Sequence, residues 1–64
     1  MIAYVISLRR EPDKADLYEL RVKLAAAGSP DVTSYYDTEE HLRTILRDGG
    51  IAGIEIDALF YDAA

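Results

Sequence analysis

The sequence predicts an α/β (α+β) domain built as a two-layer sandwich. A small three- to four-stranded sheet carries one or two helices on one face and leaves the other face open. Three observations predict it. Short runs rich in β-branched and aromatic residues lie near the start, the middle and the end of the 64-residue chain. A capped stretch with helical spacing lies between the last two. Finally, residues 51–61 alternate apolar side chains with Glu55 and Asp57. Helices on both sheet faces would bury those carboxylates unpaired, at a cost on the order of several kcal/mol, so one face must stay open.

Ile2 to Leu8 reads as the first strand, with Ile2, Tyr4, Ile6 and Leu8 on one face, and Arg9-Arg10-Glu11-Pro12 ends it. Residues 13–27 carry two patterns. Pro12 suits a first helical position, and Asp13 and Asp16 suit a first turn. Arg21 and Lys23 come later, Ala25 to Ala27 are strong helix formers, and Gly28 with Pro30 makes a stop. Against this, Tyr18, Leu20, Val22 and Leu24 alternate with Glu19, Arg21 and Lys23, which would make a hairpin with the first strand. The helix is favoured, because caps and Ala run agree.

Val32 to Tyr36 has strand composition. Asp37-Thr38-Glu39-Glu40 opens a helix, with Asp37 or Thr38 as cap and Glu40 in capping-box position relative to Asp37. Leu42, Ile45 and Leu46 give that helix one apolar stripe, and Gly49-Gly50 ends it. Ile51 to Tyr61 is expected as the last strand. Ile54, Ile56, Ala58 and Phe60 would point one way, and Glu55, Asp57, Leu59 and Tyr61 the other. The expected order is β-α-β-α-β, or β-β-β-α-β if residues 13–27 hold a strand. Residues 1–64 form a single domain in either case.

Twelve acids against seven bases give a net charge of -5. Residues 1–30 sum to +1 and residues 31–64 to -6, so the negative field belongs to the second half. A phosphate backbone repels such a chain, which argues against direct nucleic-acid binding and for basic or neutral partners. Without cysteine there is neither a disulfide framework nor a thiolate zinc site, in keeping with a cytoplasmic setting. No run approaches the roughly 20 apolar residues of a membrane helix, and no basic residue precedes the Ile2–Leu8 run as in a signal peptide.

Catalytic chemistry finds little support. His41 is the single imidazole, at the edge of an apolar stripe, and no Gly-x-Ser-x-Gly motif accompanies it. An N-terminal proline base is excluded, since Ile2 follows Met1. Glu55 and Asp57 on one strand face would stand about 6.7 Å apart along the strand, a spacing usable for acid–base work on a sugar only within a cleft. Asp37, Glu39 and Glu40 sit where helix N-termini favour acids, and the calcium-loop pattern is absent. Gly49, Gly50 and Gly53 follow a helix rather than preceding one, unlike a phosphate loop. No catalytic group, metal or cofactor is expected.

Protein interaction remains. Of the adjacent Tyr35 and Tyr36, one should face the core and one solvent, and an exposed Tyr beside acids suits a binding anchor. Glu39 can pair with Arg43 four residues on. Asp31, Asp37, Asp48, Glu55, Asp57 and Asp62 lack an obvious local partner. Together with Tyr35 and Tyr61 they form the candidate partner-binding set. Carboxylates spaced along a twisted strand could occupy a groove built for phosphates, in a salt-sensitive way.

This profile resembles small acidic anti-CRISPR proteins encoded by phages. The resemblance rests on length, acidity, the lack of cysteine and of catalytic motifs, and the Glu55/Asp57 row. It implies a stoichiometric inhibitor that mimics nucleic acid. Such a protein covers the basic surface where a CRISPR effector reads the PAM or holds target DNA, in the host bacterial cytoplasm, as a monomer or weak dimer. The alternative is a dimerising or antitoxin-like interaction domain without mimicry, using Leu59, Tyr61 and Val5.

Overall fold

The computed structural model describes residues 1–64. It shows three strands followed by two helices: β1 (Ile2–Arg10), β2 (Tyr18–Leu24), β3 (Thr33–Asp37), α1 (Glu39–Asp48) and α2 (Gly53–Ala63). The strands form one antiparallel sheet in the order β1-β2-β3. Both helices cover one face of it, α2 against β1 and α1 against β3. The α+β sandwich with one open sheet face is thus the fold, in the order β-β-β-α-α.

Two elements differ from expectation. Residues 18–24 are a strand, not part of a helix. Tyr18, Leu20 and Val22 are buried and Arg21 is exposed, so the two-residue period governs this stretch. Pro12, Asp13 and Asp16 lie in the connecting loop, which the Glu11 amide closes on the Leu17 carbonyl at 2.8 Å. Ala25 donates to the Met1 carbonyl at 3.0 Å, extending the pairing past β2, and the chain then turns at Gly28 with φ +81°.

The second difference is the C-terminal segment. Residues 53–63 form a helix where a strand was expected. The strand alternation of Ile54, Ile56, Ala58 and Phe60 coexists with a helical period. Ile56, Leu59, Phe60 and Ala63 recur at i, i+3, i+4 and i+7, and it is this set that turns inward. A segment apolar on nearly every side fits both templates, and packing decides between them.

The face assigned to β1 is also corrected. The strand has register shifts between Ile2 and Tyr4 and between Val5 and Ser7. Each bulge rotates the following residues to the other face. Ile2, Val5 and Leu8 therefore face the helices, opposite Leu24, Val22 and Leu20. Tyr4 and Ile6 are exposed, Tyr4 standing opposite Lys23.

The core consists of Ile2, Tyr18, Leu20, Val22, Leu42, Leu46, Ile56 and Phe60. Tyr18 and Phe60 meet edge to face with ring centroids 5.2 Å apart. Arg10 lies over the Tyr18 ring and Arg43 over the Phe60 ring, each 4.9 Å from the centroid, closing the core's polar rim with cation–π contacts. At the far end, the Ile2 amide donates to the Gly49 carbonyl at 2.9 Å. A Cβ on Gly49 would stand 2.5 Å from Ile2 Cδ1, so only glycine allows this approach. Gly50, with φ +94°, completes the helix stop.

Candidate functional site

Four of the eight expected partner-binding residues, Glu55, Asp57, Tyr61 and Asp62, come together on α2. They do so on a helix, so they form no straight row. Residues two apart on a helix diverge by about 200°, and Glu55 and Asp57 take opposite flanks. Between the flanks runs an outward stripe of Ile54, Ala58 and Tyr61 at i, i+4 and i+7, all exposed, Ile54 at 83% and Tyr61 at 84%. The site is therefore an apolar ridge edged by carboxylates. Asp57 is also tied down: Arg43 Nη1 donates to its Oδ1 at 2.7 Å and Arg43 Nε to Glu39 Oε2 at 2.8 Å. The Asp57 and then the Glu39 carboxylate hold the Arg43 guanidinium above its ordinary pKa.

The other four lie elsewhere. Asp31 is exposed in the loop before β3, and Asp48 is exposed at the end of α1. Tyr35 faces the helices, half-buried opposite Leu20, so it belongs to the core side. Its neighbour Tyr36 is the exposed one, at 60%. Asp37 is occupied at the head of α1. Its Oδ1 accepts the Thr38 amide at 2.8 Å and lies 2.8 Å from His41 Nδ1. The Thr38 N–H first, and His41 second, hold this carboxyl below its ordinary range. Thr38 is the N-cap, its hydroxyl accepting the His41 amide at 3.4 Å, and Glu40 takes no part in a capping box.

The Asp37–His41 pair supplies a base and its orienting carboxylate, but no nucleophile. The ring's one hydrogen bond goes to Asp37, and no Ser or Thr hydroxyl bonds its other nitrogen. No three His, Asp or Glu side chains converge as a metal-binding group. The single surface depression runs along α1, open and lined only by the polar side chains of Glu39, Glu40, Arg43, Thr44 and Arg47. It lacks the apolar walls usual in small-molecule sites. No helix is long and apolar enough to cross a membrane.

Sequence reasoning expected an open sheet face but missed the side-chain cluster that occupies it. Cross-strand pairing sets Arg9, Glu19 and Tyr36 side by side, with Ser7, Arg21 and Ser34 in the next row. Glu19 is only 5% exposed although it faces away from the helices. The Tyr36 hydroxyl donates to it at 2.7 Å, Arg9 Nη2 at 2.9 Å and Arg21 Nε at 3.3 Å. These donors, Tyr36 first and Arg9 second, hold the Glu19 carboxyl down at about 2, and the same bond raises the Tyr36 phenol. Glu19 is thus a hub that lays two guanidiniums and a phenol flat across the sheet. Lys23 crosses the same face, donating to the Ser29 and Pro30 carbonyls at 3.0 and 3.1 Å. The i, i+2 placement of Glu19, Arg21 and Lys23, which carries the strand alternative for this stretch, was the available signal, and the helical pattern was preferred over it.

The fold and these surfaces define a small α+β domain with an acid-edged apolar helix on one side and a basic, tyrosine-bearing sheet face on the other. No family model, curated protein or solved structure shows significant similarity to this chain.

Proposed function

We propose that the protein is a stoichiometric protein-binding domain that docks α2 onto a partner surface with an apolar groove and a basic rim. The observation that carries this reading is the outward stripe of Ile54, Ala58 and Tyr61 between Glu55, Asp57 and Asp62. A helix that only needed to fold would place polar side chains there. Helix-in-groove recognition uses such i, i+4, i+7 anchors. Large residues like Tyr61 supply most of the binding energy, while flanking charges set orientation and encounter rate.

The nucleic-acid-mimic form of this reading, against a CRISPR effector, makes one further demand. The carboxylates must stand in for phosphates, so DNA must compete for the same partner surface. With Glu55 and Asp57 on opposite flanks of α2, the apolar ridge is the stronger argument, and the interaction domain without mimicry is the reading favoured.

Affinity capture from bacterial lysate at low and high salt tests it, using the wild type, Glu55→Lys/Asp62→Lys and Ile54→Ser/Tyr61→Ser. All four positions are exposed, so circular dichroism should be unchanged. The expected result is one basic partner, lost with both variants and weakened by salt. A catch indifferent to both variants would sink the proposal. Competition by duplex DNA would mark the partner surface as one that holds DNA, and lack of competition removes mimicry alone.

A further inference from the structure

The open sheet face and the outward face of α2 are complementary in charge, in chemistry and in size. The sheet face presents Arg9, Arg21 and Lys23 around a neutralised Glu19, with Tyr4 and Tyr36 exposed at 58% and 60%. The helix presents Ile54 and Tyr61 between three carboxylates. Three strands at about 4.8 Å spacing make a platform about 10 Å wide, the width of one helix. Tyr4 and Tyr36 stand opposite Lys23 and Glu19, four residues apart along β2, or about 13 Å. Ile54 and Tyr61 stand seven residues apart on the helix, or about 11 Å.

The two faces lie on opposite sides of the sandwich, so one chain cannot join its own. Strand-edge pairing is a poor alternative. One free edge, β1, is broken by two bulges, and the other, β3, is five residues long. Bulged and short edges resist strand addition. We infer that the open sheet face is the docking site for α2 of a second copy of this chain, in a head-to-tail arrangement. This inference rests on the α2 docking reading and names a partner for it, with a flat basic platform flanked by Tyr4 and Tyr36 in place of an apolar groove.

Such an interface is heterologous. Each added copy leaves one face free at either end, so assembly continues past the dimer unless a ring closes. One helix on one small sheet buries less than a standard interface, so association is weak and appears at high protein concentration. The net charge of -5 opposes it at low ionic strength. At about 150 mM salt the Debye length is about 8 Å, which screens whole-molecule repulsion while leaving contact pairs.

Sedimentation equilibrium at that ionic strength, from about 10 μM to about 1 mM (a range set by the weak interface), tests the inference. The wild type should rise from the 7.1 kDa monomer to masses beyond twice that value. Ile54→Lys/Tyr61→Lys, at positions more than four-fifths exposed, should stay monomeric. So should Tyr4→Glu/Arg21→Ala, with Tyr4→Glu alone as a variant that leaves the Glu19 hub intact. Mixing a helix-face variant with a sheet-face variant leaves one intact face of each kind. The mixture should therefore form a dimer and stop there. A wild type that stays monomeric, or a mixture that stays monomeric while the wild type associates, overturns the inference. If the wild type stays monomeric but still captures a basic partner through α2, the docking proposal stands and only the second copy falls.

Discussion

The two helices differ in what makes them helical. α1 has Thr38 as cap, Glu39 and Glu40 in its first turn, Arg47 in its last, and polar residues outward. Each choice agrees with the helix dipole and with a single buried stripe of Leu42 and Leu46. In α2, Ala52 occupies the cap position without a side-chain bond, and no base stands in the last turn. Asp62 sits there instead, against the dipole, and apolar residues point both inward and outward. α1 is specified by its own sequence, whereas α2 depends on the surface beneath it. The outward residues of α1 are accounted for by solvation. Those of α2 are not, and that excess is what the docking proposal uses.

The sharpest test of this contrast compares inward and outward truncations. Leu46→Ala in α1 should cost about 2–5 kcal/mol in urea unfolding, because Leu46 is fully buried. Ile54→Ala in α2 should stay within about 0.5 kcal/mol. An Ile54→Ala cost near that of Leu46→Ala would mean Ile54 is covered in solution, and the contrast would break. Next comes the end of α1. Gly49→Ala should cost about 1–3 kcal/mol, since Ile2 must give way, and the loss should shrink in an Ile2→Ala background, which removes the Cδ1 and Cγ1 that a Cβ would strike and leaves only the Ile2 Cβ, at 3.2 Å. A smaller effect separates the N-termini. Thr38→Ala should cost about 1 kcal/mol, while Ala52→Asp should stabilise by about 0.5–1 kcal/mol by supplying the missing cap. If Ala52→Asp gains nothing, α2 is better capped than its geometry indicates.

The smallest effect is one of pH. Asp37 is held below its ordinary pKa by the Thr38 amide and then His41. Its contribution is complete above the unfolded value of about 3.9 and fades as pH falls through the lower folded value. Asp37→Asn should flatten stability against pH over that interval, read from urea midpoints at successive pH values. An unchanged acid limb would remove Asp37 as a contributor to α1.

Where local and long-range preferences agree, the elements were legible. β1, β3, α1 and the Gly49-Gly50 stop follow from residue type, capping and period. Residues 18–24 and 53–63 were misassigned for one shared reason: each carries both periods, and a partner elsewhere decides. For β2 the partners are β1 and β3, which between them use both of its edges. For α2 the decision comes from Tyr18 and the β1 surface, on which Ile56 and Phe60 pack. Glu55, Asp57, Tyr61 and Asp62 are all exposed, but Leu59, expected beside them, packs against the core, and Ile54 and Ala58, expected with the inward residues, are exposed, so the arrangement was lost with the strand assignment. The Glu19 hub was not legible, because it exists only across three strands.

The Ile2–Gly49 clasp carries a kinetic consequence. Its two halves bracket the whole sheet and all of α1, so the loop it closes is among the longest in the chain, with the closure entropy that implies. The start of β1 is held on one side by Leu24 and Ala25 at the end of β2, but its Ile2 amide has to wait, as the chain is made, for the end of α1. It should also be the first seam to part, so the Ile2 amide is expected to exchange with solvent through a smaller opening than the amides of β2. One end of β1 thus takes its backbone partners from two distant parts of the chain, and native-state hydrogen exchange would read directly which of the two lets go first.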